Sequence, residues 1–116
     1  MAVTALAGPA VAAPGDMSVA TFLGKYEALK KKGLFAIGSS DIGALRREGE
    51  AGGAAYQARI AADKAAGRPP HSCPPAKPAM GQSEFLNGLK RYPPAARDTT
   101  TIKMAVADLM KRKYPC

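Results

Sequence analysis

The amino-acid sequence predicts an all-α fold, a small helical bundle of about four helices closed by one disulfide. Three observations lead there. Apolar residues recur at steps of three and four in stretches bounded by glycine or proline, which is the spacing of a helix face. No segment reads as a convincing strand, and there is no internal repeat. The two cysteines of the chain, Cys73 and Cys116, each stand beside proline at the edge of a helical pattern and bracket two helices. A bond between them would close that helical pair.

The elements follow in order. After Pro14-Gly15, Ser18 is placed to cap a helix running to about Lys32, with Val19, Phe22, Leu23, Tyr26 and Leu29 as its apolar stripe. Lys30, Lys31 and Lys32 fall in the last turn, where cations complement the helix dipole, and Gly33 stops the helix. Leu34 to Ile37 reads as a tucked-in loop or single turn. Ser39, Ser40 and Asp41 start a second helix that extends to about Ala66, and Gly67 with Pro69-Pro70 ends it. Its stripe is Ile42, Leu45, Gly49, Gly53, Tyr56 and Ile60. Each interior glycine lowers helix stability by about 1 kcal/mol relative to alanine. Close approach of another helix would offset this; a kink near Gly52-Gly53 is the alternative.

Five prolines and the single histidine, His71, make residues 68–78 an ordered, extended connection. A third helix is expected over about Gln82–Arg91 with Phe85, Leu86 and Leu89 inward, and Pro93-Pro94 break the chain. Asp98 and Thr99 to Thr101 can cap a fourth helix with Ile102, Ala105, Val106, Leu109 and Met110 as its stripe. Leu109 and Phe85 are expected core residues.

Length and composition bound the rest. A chain of 116 residues makes one domain, and with no Trp, three Phe and four Tyr its core is thin. A covalent staple would therefore matter. The net charge of +8 is spread along the chain and suits an anionic partner, or simply a solvated surface. Ala10-Val11-Ala12 has the small residues of a signal-peptide cleavage site, and paired cysteines fit an oxidising compartment. Residues 1–13 are thus expected to be a signal-peptide remnant or a disordered leader, and residues 14–116 a single helical domain. No run approaches membrane-spanning length.

Catalytic chemistry finds little support. His71 and Cys73 lie two apart in a proline-flanked segment with no third group to orient the imidazole, so an oxidised Cys73 and a surface His71 are expected. One histidine and two cysteines leave a metal site incomplete. Glu48 and Glu50 do not face each other on a helix. No glycine-rich loop follows a strand, so no phosphate cradle or cofactor site is assigned. The expectation is a protein that is not an enzyme and has no catalytic, cofactor or metal residues. Nucleic-acid binding wants a basic stripe with stacking side chains, whereas here lysines sit at helix ends and aromatics on apolar stripes.

The C-terminal layout resembles a known family. Cys73-Pro74-Pro75, then Glu84-Phe85-Leu86 with Leu89 and Tyr92-Pro93, then a helix with Ala105, Leu109 and Met110 ending in Tyr114-Pro115-Cys116, is similar to the Tai-type immunity proteins. These small periplasmic helical proteins, also called resistance-associated periplasmic proteins, protect bacteria from type VI secreted cell-wall amidases. The resemblance covers residues 73–116 and implies a periplasmic, non-enzymatic protein that neutralises an amidase effector by occlusion. No position matches an inhibitory motif of the family. From the residues themselves, the loops at 68–80 and 92–97 are the expected protein-binding surface, with Arg68, Lys77, Arg91 and Arg97 as its candidates. A homodimer through the glycine-rich helix face stays open at this point. So do a structural or stress-related periplasmic protein without a toxin partner and, from another class, a basic nucleic-acid-binding domain.

Overall fold

The computed structural model describes residues 13–116. They form helices α1 (Val19–Lys32), α2 (Ser40–Ala65), α3 (Gln82–Lys90), α4 (Pro94–Arg97) and α5 (Ile102–Lys113), with a 3-10 turn at Gly33–Gly38. Among the described residues the extended pairing is one isolated antiparallel bridge, Ser18 with Thr101. The all-α expectation holds. The expected break at Pro93-Pro94 is instead one turn of helix, because Pro94 at its first position needs no N–H partner and already has helical φ. The leader expected over residues 1–13 lies, apart from Ala13, outside the described residues.

The helix ends fall where polar side chains replace missing backbone bonds. Ser18 Oγ accepts the Thr21 N–H at 3.0 Å, and Ser39 Oγ accepts the Asp41 N–H at 3.2 Å. Thr101 Oγ1 accepts the Met104 N–H at 3.2 Å. Each bond satisfies one of the donors that a helix start leaves free. Gly33 ends α1 at φ +57°, a left-handed conformation that suits glycine. The stretch before α2 is not tucked in throughout: Ile37 is 78 % exposed, carried outward by the tight turn joining α1 to α2.

The core lies chiefly between α2 and α5, closed by α1 and α3. Val19, Leu89 and Ile102 are fully buried, each contributing about 1.5–3 kcal/mol of transfer free energy. The long helix α2 does not break at its glycines. Gly52 is where α5 comes closest: a Cβ there would sit 2.9 Å from Val106 Cγ2 and 3.6 Å from the Ile102 carbonyl oxygen. Gly88 of α3 serves α5 in the same way, since a Cβ on it would overlap the Leu109 side chain. Leu109 is buried as expected. Phe85 is only half-buried, its ring edge-on to Phe22 with centroids 5.5 Å apart, because its outer side faces an open groove between α1 and α3.

Two segments outside the helices are tied down by polar groups. Glu48, 7 % exposed, accepts the backbone N–H of Gly15 at 2.6 Å and of Met17 at 3.2 Å. The same segment pairs with the start of α5, through Val19 N–H to Thr100 O, Ile102 N–H to Met17 O and Lys103 N–H to Gly15 O. Gly15 has φ +99° and lies beneath the Lys103 side chain, which a Cβ would strike. The second segment is the strap, residues 68–81, between α2 and α3.

The helix glycines should separate on substitution by alanine. Gly52→Ala and Gly88→Ala should destabilise by about 1–3 kcal/mol through overpacking. Gly49→Ala and Gly53→Ala, where a Cβ meets nothing within 4 Å, should stabilise by up to about 1 kcal/mol. Urea unfolding of the four variants checks this; losses of similar size at all four would mean the glycines share one role.

Candidate functional site

The strap is held at two places. At Cys73 the disulfide to Cys116 brings the Cα atoms to 4.8 Å across 43 residues, and the Cys73 N–H donates to Tyr114 O at 2.9 Å. The cysteine pairing expected from the sequence is thus present. Closing a loop of this length should stabilise by about 4 kcal/mol in the chain-entropy view. At Ala79 the backbone N–H donates to Tyr114 Oη at 3.2 Å, while Lys113 Nζ donates to the Ala79 carbonyl and pairs with Glu84 at 2.7 Å. The hydrogen bond to the Glu84 carboxylate raises the Lys113 pKa.

Beside Cys73, Tyr56 of α2 reaches up to the strap. Its hydroxyl bonds Ser72 Oγ and lies 2.9 Å from His71 Nδ1. Tyr56 and Ser72 are buried, Ser72 to 1 % exposure, so Ser72 is closed to solvent. His71 is not the free surface residue expected from the sequence; it is half-buried, edge-on to the Tyr56 ring. The reason is the proline-flanked path of the strap, which turns His71 back over α2. Burial first, then the nearby Arg59 and Lys111 charges, lowers the imidazole pKa below its ordinary 6.5. The Tyr56 hydroxyl carries one proton and serves one of these two contacts as donor, so in the other it accepts from its partner. The trio is a tether between strap and helix.

Between these fixed points a groove runs along α2. One part, of about 400 Å³, lies between α1 and α3, with Phe22, Tyr26, Ile42, Arg46 and Phe85 among its walls. A middle part of about 230 Å³ is floored by Gly49 and Gly53 and walled by Met80 and Phe85. A third part, of about 350 Å³, is roofed on one side by Pro74, Pro75 and Pro78 of the strap and reaches Ile60 and Lys64. Gly49 and Phe85 join the first two parts; Tyr56, Gln57 and Pro78 join the last two. The lining is predominantly apolar. Among the described residues its charged members are Arg46 and Lys64, near opposite ends, and none of those lining it is acidic.

The structure does not gather the four basic residues proposed from the sequence into this groove. Arg68 pairs with Asp63 at 3.2 Å, at the end of α2. Arg97 donates to Tyr92 O at 2.8 Å and to Lys90 O at 2.9 Å, satisfying carbonyls at the end of α3. Arg91 is exposed beside Asn87 and Leu109, at a separate shallow depression. Lys77 is exposed on the strap between Ala76 and Pro78, which line the groove. Sequence reasoning placed Gly49 and Gly53 on the core-facing stripe of α2, whereas they lie beside it. Their helix-weakening cost was the available signal, together with their regular spacing from Ile42 and Arg46.

No protein-family model, curated protein or solved structure matches the chain. Among the described residues no helix is long and apolar enough to cross a membrane, and the closed Cys73–Cys116 pair fits an oxidising compartment.

The lowered His71 pKa gives a pH dependence of known sign. Below its ordinary value of 6.5 the unfolded chain takes up a proton that the folded chain does not, so stability falls with pH in that window. The thermal midpoint should therefore drop between pH 7.5 and 5.5, and His71→Gln should reduce the drop. An equal drop in both proteins would mean that His71 is not linked to folding.

Proposed function

We propose that this is an exported, non-enzymatic binding protein that neutralises a partner by occluding it. The observation that supports this most is the open apolar groove along α2, whose glycine floor is unfilled and whose strap wall is fixed by the Cys73–Cys116 bond and the Ala79 contacts. A concave apolar site held in one shape binds with little ordering cost. The resemblance of residues 73–116 to Tai-type immunity proteins supplies the partner class, a cell-wall amidase effector of type VI secretion. The encounter would take place in the periplasm, where a disulfide persists.

The test is peptidoglycan hydrolysis by a panel of type VI cell-wall amidases with and without the oxidised protein. An equimolar amount should arrest one of them, and Gly53→Leu, which puts a side chain into open space on the groove floor, should remain folded and lose the effect. A panel in which no amidase is slowed would contradict the immunity role. Undiminished inhibition by Gly53→Leu would place the interface elsewhere.

A further inference from the structure

On the reading that the groove is a docking site, we propose that it takes an amphipathic helix of a partner protein with carboxylates near both ends of its apolar stripe. A second copy of this chain is not the occupant. The pattern on α2 carries the first half of this. Ile42, Arg46, Gly49, Gly53, Gln57 and Lys64 all line the groove, and they are separated by steps of three, four or their sum. Residues so spaced stay on one helix face, here for about 33 Å at 1.5 Å per residue.

The centre of that face is bare. A Cβ on Gly49 or Gly53 would meet nothing within 4 Å, whereas Gly52 makes room for Val106. Among the described residues no packing accounts for the two groove glycines. Their lack of side chains lets another backbone come close. The floor also selects the form of the visitor. Backbone N–H and C=O groups in the interior of α2 already bond each other, so an extended peptide laid on it would leave its own unpaired against apolar walls. A helix satisfies its own backbone and offers a stripe of side chains to the groove.

Charge carries the second half. Arg46 and Lys64 are 18 residues apart on one helix, about 27 Å along its axis. Among the described residues neither forms an ion pair. A second copy docked antiparallel on this face would set Arg46 against Lys64, and one docked parallel would set like residue against like. Both arrangements oppose cations, in a chain already at +8. A partner helix with Asp or Glu near both ends meets the same groups with opposite charge.

The experiment is selection from a displayed library of helical peptides of about 22 residues, the length that spans the face. Leu, Met and Ala vary on the apolar stripe, and the two end positions are open to Asp, Glu, Lys and Arg. Oxidised protein is the bait and Gly53→Leu the counter-selection. Acidic residues should be enriched at both ends. A selected peptide made synthetically should bind Arg46→Glu/Lys64→Glu about tenfold more weakly, and Lys at its ends should restore binding to that variant. If no peptide prefers the protein over Gly53→Leu, the proposal and the docking reading fall together. Enrichment without acidic ends overturns the partner chemistry and leaves the docking reading standing. Sedimentation of the protein as a dimer that Gly53→Leu dissociates assigns the groove to a second copy and overturns the proposal as well.

Discussion

The contact between α2 and α5 at Gly52 is the constraint on which the rest of the structure depends. With hydrogen in place of a side chain, Val106 and the Ile102 backbone can press onto α2, and Ile102, Ala105, Val106 and Met110 bury one continuous face. The start of α5 then lies where the segment before α1 can pair with it, and Glu48 of α2 fixes that segment from the other side. A carboxylate taking two backbone N–H bonds out of water is an economical anchor, because its charge strengthens bonds that those groups need in any case. The end of α5 carries Tyr114 and Cys116 to the strap. Packing places the helices; the disulfide, Lys113 and Tyr56 place the loop.

This gives the protein two parts with different physical origins. The α1–α2–α3–α5 bundle is held by apolar burial. The strap buries little beyond Ser72 and is held by one covalent bond and a few polar contacts. Prolines suit it, since they restrict the chain before folding and need no N–H partner. The groove lies between the two parts, with helix as floor and strap as one wall.

Much of the fold was legible in the sequence because its signals are local. Ser18 and Thr101 cap where a polar residue precedes an apolar stripe, Gly33 and the lysines mark the end of α1, and two cysteines leave one pairing. What was illegible depends on distant partners. Glu48 reads as one more helix acid until the Gly15–Met17 backbone is placed against it. His71 reads as solvent-exposed until the strap folds it onto Tyr56. Arg97 reads as a free cation until its guanidinium reaches the end of α3. The glycines of α2 showed the limit most clearly: one-dimensional spacing put Gly49, Gly53 and Tyr56 on one stripe. The packing splits them, with Tyr56 buried and the two glycines on the open side.

The strap is a unit of its own hung on the helical bundle, and the Cys73–Cys116 bond holds it as the groove wall. Amide hydrogen exchange of the oxidised and reduced protein under native conditions tests this most directly. Reduction should open the Cys73 and Ala79 amides of the strap, while amides of α2 around Tyr56 and of α5 around Leu109 lose no more than the loop-closure stabilisation of about 4 kcal/mol and stay protected. Protection retained across the strap in the reduced protein, or lost from α2 and α5 together with it, would contradict the account.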